Sequence, residues 1–296
     1  MKKFAAIIAC AVVAFILLPD TAYAWGPGVH LSIAEWLFSN LSVLPSSVAQ
    51  TIAMHKDAFR YGALSADIFI GKGCTVVPGH SHNWETGFTL LRNVDTPELQ
   101  AYAYGYLSHL AADIVAHNTY VPTLMSGAPT AGKLGHVYIE AQADRLVRWD
   151  NTNVKGMFSL SCTAHDDQLL CATRKDKNGF AIRKQVFRSS IAVCSNTAWK
   201  QSLKLLHTAI PGAADKKFLS SMLNASLTSV IDILSQKDES TIAAADPIGE
   251  HALADSKGMC AGTSLFSYRN PFPLVFPLAP SVAALPQINA ASAIMV

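Results

Sequence analysis

Charged side chains are scarce in this chain: they make up 15% of its 296 residues, and Lys plus Arg exceeds Asp plus Glu by only two, 23 against 21. Neither sign dominates, so the basic excess of a dedicated nucleic-acid binder is missing. There is no Cys-x-x-Cys, which removes thioredoxin-type chemistry and cysteine-based zinc sites from consideration. No repeat of fixed period is present, and beyond the amino-terminal segment no stretch reads as long and apolar enough to span a bilayer. Apolar surface is plentiful, at 50% hydrophobic residues, which excludes a disordered chain and is enough for one large domain or two small ones. Ten histidines are an unusual count in so uncharged a sequence, and several of them cluster.

The amino-terminal segment has the three-part layout of a secretory signal peptide. Lys2 and Lys3 precede an apolar run over 4–18, and Ala22-Tyr-Ala24 supplies a small-residue cleavage site. The run is short for a membrane anchor. We expect removal of 1–24, export to the periplasm or the medium, and a mature chain that begins at Trp25. Of the six cysteines, Cys10 lies in this segment, leaving Cys74, Cys162, Cys171, Cys194 and Cys260 in a disulfide-permissive compartment. Cys162 with Cys171 is the easiest pair, and Cys194 with Cys260 is a further option.

Helical periodicity runs through the mature chain. Helices are predicted over 29–40, 46–64, 96–117, 133–149, 180–210 and 213–235. The third should begin at Thr96-Pro97-Glu98, where a hydroxyl cap, a first-turn proline and an acid suit the positive helix end. It should stop before Pro122. Loops are predicted over 71–81 and 125–132, with an irregular insertion or short hairpin over 151–180. The prolines beyond Asn270 predict an extended tail over the surface. The sequence therefore reads as all-α: one multi-helix domain over 25–270 with an irregular, Pro-rich extension over 271–296.

The chemistry concentrates in the third helix. His109, Asp113 and His117 recur every four residues among Leu, Ala, Ile and Val, so they drift only about 40° per step and share one stripe. A carboxylate buried between imidazoles is costly unless each group is paired or holds a metal. The alternative is a core helix with hydrogen-bonded histidines. The following helix repeats the pattern with His136 and Glu140; Asp144 continues that stripe or pairs with Arg145 or Arg148. Two neighbouring helices with His and carboxylate ligands at helical spacing are how bundles build multinuclear sites. Upstream, Asp67 ends an apolar helix and His80-Ser-His82-Asn-Trp-Glu offers one or two imidazoles. Cleavage ahead of Trp25-Gly-Pro-Gly-Val-His30 creates an α-amine next to the Trp25 carbonyl, a chelate that can hold a cation together with His30. His55, His165, His207 and His251 fall outside the pattern, and Asp246, Glu250 and His251 are assigned no role because Pro247 breaks their helical spacing.

This ordered set resembles the zinc-dependent phospholipases C, a superfamily shared with the trinuclear zinc nucleases that cut single strands. The resemblance covers roughly 25–144. It implies a helical bundle around three zinc ions: one held by Asp67, His82, His109 and Asp113, one by His117, His136 and Glu140, and one by the Trp25 amine and carbonyl with His30, bridged by Asp113. His82 is preferred to His80 because His-Asn-Trp matches the family's histidine followed by an aromatic. The resemblance further implies phosphodiester hydrolysis of phospholipids at a membrane or micelle surface by a monomer, with no dedicated nucleic-acid partner. Asp67 is a zinc ligand or the general base that orients the attacking water. Choline-cleaving members carry tyrosine where this chain has Ile68. Two other readings remain at this stage, a single-strand nuclease and a non-catalytic zinc-binding helical protein.

Overall fold

The computed structural model describes residues 25–69, 79–128, 133–150, 158, 163–175, 177–205, 210–260 and 276–296. Among these residues the regular structure is helical, with a single antiparallel bridge between Val147 and Met295. The first helix, α1 (Pro27–Ser39), opens with proline at its first position, where the missing N–H is not needed. The stretch predicted as one helix over 46–64 is two, α2 (Ser46–Met54) and α3 (Lys56–Ser65), broken at His55 by a non-helical backbone. The break re-aims α3 into the interior, where Ala58 through Ser65 are all buried. A 3-10 turn, Ala66–Ile68, follows and carries Asp67. Helix α4 (Trp84–Arg92) is capped by Asn83, whose side chain accepts from the Glu85 amide.

The centre of the molecule is α5 (Pro97–Val115). Thr96 caps it as predicted, its hydroxyl accepting from the Leu99 amide at 3.2 Å. From Ala101 to Val115 every residue is buried. Each of Leu107, Leu110 and Ile114 contributes about 2 kcal/mol by leaving water. Helix α5 ends at Val115, but the helical run does not stop before Pro122. A π-helical turn, Ala116–Tyr120, leads into α6 (Val121–Ser126), and Pro122 sits in the first turn of α6, where a helix tolerates it.

Helix α7 (Lys133–Leu146) follows, and then a departure from expectation. Part of the predicted irregular insertion is helical, α8 (Thr163–Ala172). Its buried Leu169 and Leu170 share a polar sequence with Asp166 and Asp167, which weakens the periodic signal. Helices α9 (Phe180–Cys194) and α10 (Thr197–Leu205) replace one predicted segment. Then come α11 (Lys216–Gln236), capped by Asp215 on two amides, and α12 (Glu250–Cys260). The chain end contributes the short turns α13 (Pro280–Ala283) and α14 (Ala291–Ile294), and Val282, Ala291 and Ile294 are buried in the body.

Two further sequence expectations need correction. The segment Lys216–Glu239 is long and apolar enough to cross a membrane, with a mean hydropathy of 1.3, contrary to the expectation that no such segment exists. It packs on α5 and about two-thirds of its most apolar stretch is buried, the pattern of a core helix. Cys171 and Cys194 carry free thiols, so neither expected bridge is seen; Cys74, Cys162 and the side chain of Cys260 lie outside the described residues, as do residues 1–24.

Backbone-to-backbone approach of α3 and α5 sets the position of the site. A Cβ at Gly62 would collide with the Tyr102 carbonyl, and one at Gly105 with the Phe59 carbonyl. Only glycine at both positions permits this crossing. Gly105→Ala is therefore expected to destabilise the protein by about 3 kcal/mol, as overpacked cores do. The control Gly258→Ala, with open space around it, should be neutral or stabilising by up to about 1 kcal/mol. Urea unfolding midpoints of the two variants check the contrast.

Candidate metal centre

The close crossing puts the first turn after α3 against the middle of α5. His109 donates from Nδ1 to the Ala63 carbonyl at 2.9 Å. That bond commits the hydrogen to Nδ1 and leaves Nε2 as the ligand atom. Nε2 then faces three acceptor-bearing groups: His82 Nε2 at 3.0 Å, Asp113 Oδ2 at 3.0 Å and Asp67 Oδ1 at 3.7 Å. His82 Nε2 lies 3.1 Å from Asp67 Oδ1 and 3.4 Å from Asp113 Oδ2. The other Asp113 oxygen, Oδ1, is 3.3 Å from His30 Nε2, and the His30 ring stacks on His109 at 4.0 Å. Asp113 thus turns one oxygen toward α1 and the other toward the 67–82 segment. Two triplets, His30–His109–Asp113 and Asp67–His82–His109, each bring three ligand atoms within 4.8 Å of one another, all buried.

A second lobe adjoins the first. His136 and Glu140, one turn apart on α7, stand 2.9 Å from each other. His117 lies between the lobes, 6.1 Å from His82 and 6.1 Å from His136 by ring centroids. His117 lies at the start of the π turn and keeps its ring beside the cluster. Trp25 is fully buried; its indole N–H donates to the carbonyl of Ala112, next to Asp113, and to Ser226, and its ring lies 4.7 Å from Tyr120. The structure therefore gathers His30, Asp67, His82, His109 and Asp113 closely, sets His117, His136 and Glu140 beside them, and seats Trp25 against the Asp113 turn.

Of the two upstream histidines, His82 joins the cluster. His80 instead accepts the His82 backbone N–H on its Nδ1 at 3.0 Å, and its carbonyl accepts from Thr86. The Tyr106 hydroxyl donates to the Ser81 carbonyl, pinning the same loop to α5. Asp144, which could have continued the ligand stripe or paired with Arg145 or Arg148, does neither: its carboxylate accepts the Gly28 and Val29 amides.

The residues assigned no role include one group that matters. The Pro247 carbonyl accepts from His117 Nδ1 at 2.6 Å, freeing Nε2 as a ligand. Asp246 shapes that turn by accepting the Ile248 and Glu250 amides, and its carbonyl accepts from Asn118. Gly249 has φ +67°, and a Cβ there would lie 2.5 Å from the His117 carbonyl. The signal in the sequence was Asp-Pro-Ile-Gly ahead of a helix, a turn whose partner lies 130 residues away. His165 stays outside the centre, packed on Tyr61 and Tyr102 and 3.8 Å from Glu98.

The electrostatics fit a cation. Asp67, Asp113 and Glu140 are buried, and among the described residues no Lys or Arg forms an ion pair with any of them. Burial, reinforced by Asp67, Asp113 and Asp144, pushes Glu140 well above the usual carboxylate range. Burial works the same way on Asp113, but the surrounding imidazoles, His109 foremost, outweigh it and hold that carboxyl well below its usual range. His109 would be discharged by burial, yet Asp113 and Asp67 raise it to about 9. Asp113 Oδ1, Asp113 Oδ2 and His30 Nε2 converge without forming a hydrogen bond of proper geometry. Buried imidazole and carboxylate atoms that converge in excess of the protons available to pair them describe a metal site, and imidazole with carboxylate is a zinc donor set.

Two measurements follow. Zinc must displace the proton that His109 carries below about pH 9, so apparent zinc affinity should rise with pH, by up to about tenfold per unit until near 9. A pH-independent affinity would contradict the cluster. Gly249→Ala should displace His117 and weaken metal binding by about 10–100-fold without touching a ligand, read by chelator competition.

No curated protein and no solved structure matches the chain. The family described as zinc dependent phospholipase C matches residues 29–211, well over half of the sequence. The match spans every gathered side chain from His30 to Glu140, with Trp25 just ahead of it. On the strength of that match and of the His and carboxylate cluster, this chain belongs to the zinc-dependent phospholipase C family.

Proposed function

We propose that the protein is an exported, monomeric hydrolase that cleaves the phosphodiester of phospholipids at a membrane or micelle surface. The products are diacylglycerol and a phosphorylated headgroup, with water adding to phosphorus and its proton passing to the leaving alkoxide. The observation that carries the reading is Asp113, whose two oxygens face imidazoles from different segments, the disposition of a carboxylate shared between two cations. Family membership supports the reaction class.

In this reading the centre takes three zinc ions. Asp67, His82, His109 and Asp113 would hold the first. His117, His136 and Glu140 would hold another, with a position left for water. The Trp25 amine and carbonyl with His30 would hold the third, linked by Asp113. Bound zinc supplies the Lewis acidity that brings the pKa of water toward neutrality and draws charge from phosphoryl oxygens. The chain's own part is orientation. Ala63 and Pro247 fix the two imidazoles of α5 and its π turn by accepting from Nδ1, and the buried helices around them exclude bulk water. Asp67 is either a ligand or the base that aims the attacking water; its Oδ1 already faces His82. Ile68 is fully buried and presents no aromatic face to a headgroup, so choline preference is not part of the proposal. Export rests on the Lys2-Lys3, apolar run and Ala22-Tyr-Ala24 pattern.

Incubation of the mature protein with mixed phospholipid vesicles and, separately, with single-stranded DNA tests the substrate class. Release of phosphorylated headgroup is expected; nucleotide release would instead support a nuclease, and neither product a non-catalytic zinc protein. His109→Ala and Asp113→Asn should each abolish hydrolysis and lower zinc content. A chain that retains one residue ahead of Trp25 should lose one of three ions, and keeping all three would contradict the amine ligand.

A further inference from the structure

Asp144 is a buried carboxylate that the reaction itself does not use. It is 3% exposed, lies one turn beyond Glu140 on α7, and makes no ion pair with Arg145 or Arg148 among the described residues. Its two oxygens are spent on backbone: Oδ2 accepts from the Gly28 amide at 3.0 Å and Oδ1 from the Val29 amide at 2.9 Å. These are first-turn amides of α1, where a helix is short of acceptors: the Val29 amide is shared with the Gly26 carbonyl at 3.1 Å, and among the described residues the Gly28 amide has Asp144 as its acceptor. The N-cap residue, Gly26, has no side chain to offer them. Asp144 acts as a cap supplied from another helix, with its two oxygens at the amide end of α1. The approach is close on both sides of the α1 start. A Cβ at Gly26 would lie 2.5 Å from Asp144 Oδ2, and one at Gly28 would lie 2.5 Å from Trp149 Nε1. Trp149 donates from that nitrogen to the Asp144 carbonyl, and Ser32 donates to the Arg148 carbonyl.

We propose that Asp144 is a positioning residue of the metal centre: by clamping the Gly28 and Val29 amides it sets His30 against Asp113. The proposal rests on the zinc-dependent reading above and adds a residue to it. The physical argument is one of reference frame. The first turns of α7 carry His136 and Glu140, and its last turn grips the residues immediately ahead of His30. One rigid helix therefore ties the α1 side of the centre to the α7 side, so that His30 is held by a group it never touches.

The test compares Asp144→Ala, Asp144→Asn and His30→Ala for zinc content, affinity of each ion by chelator competition, and amide exchange of the metal-free protein. Asp144→Ala should keep two ions at wild-type affinity and bind one about 10–100-fold more weakly, as His30→Ala does. The double variant should be no worse than His30→Ala alone, because both act on one site. Exchange at Gly28, Val29 and His30 should rise while that of α5 stays protected. If Asp144→Ala does not fold, Asp144→Asn, which keeps the shape and one acceptor, should show the same selective loss at about tenfold. Three ions at wild-type affinity in a folded Asp144 variant, equal weakening of all ions, or additive losses in the double variant would each overturn the proposal. A wild-type protein that binds no zinc would instead overturn the reading of the centre, so the two failures are separable.

Discussion

Three carboxylates, Asp67, Asp113 and Glu140, sit in a helical interior without a lysine or arginine among the described residues to pair with, and that constraint shapes the rest of the structure. In a medium of low polarity such charge persists only if protons or metal ions balance it. The surrounding side chains are chosen accordingly. Imidazoles face every one of the three acids, and in the metal-free chain the proton on His109 does part of the balancing. A cation that displaces it gains a ligand set already gathered, and its binding free energy adds to the stability of the fold.

Around that charge the fold supplies orientation at two levels. Gly62 and Gly105 let α3 and α5 touch backbone to backbone, which brings the Ala63 carbonyl within reach of His109. Loops far apart in sequence do the rest. The Pro247 carbonyl fixes His117, His80 fixes the backbone of His82, and Tyr106 pins Ser81 to α5. The Ala63 and Pro247 carbonyls decide which ring nitrogen of His109 and His117 is available, and His80 and Tyr106 fix the backbone that carries His82. Metal sites depend on such partners for a large share of their affinity.

The stretch from Trp25 to Val29 is built into this arrangement. Trp25 is fully buried, tied through its indole to the turn that carries Asp113, while α7 holds the next residues through Asp144. A family built on zinc chemistry and a centre whose acid is shared between segments fit together. The long apolar helix α11 serves the same end. Its interior face provides Ser226, which accepts from the Trp25 indole, so a segment with the composition of a membrane span is here the floor beneath the site.

Local signals carried much of this protein. The four-residue spacing of His109, Asp113 and His117, of His136 and Glu140, and the Thr96-Pro97 helix start were legible because helical geometry and capping act within a turn or two of the chain. What lay beyond that range was not. The π turn at 116–120 joined the helix to a further one, so that Pro122 falls in a first turn instead of ending the helical run. Asp144 read as a ligand or a salt-bridge partner, and its true partners were amides 115 and 116 residues away. Asp246 and Pro247 read as a broken helix, and they orient a ring in another segment. Sequence spacing determines which side chains share a face; which donors and acceptors meet across faces is decided by the packing of the helices, and only the tertiary structure contains it.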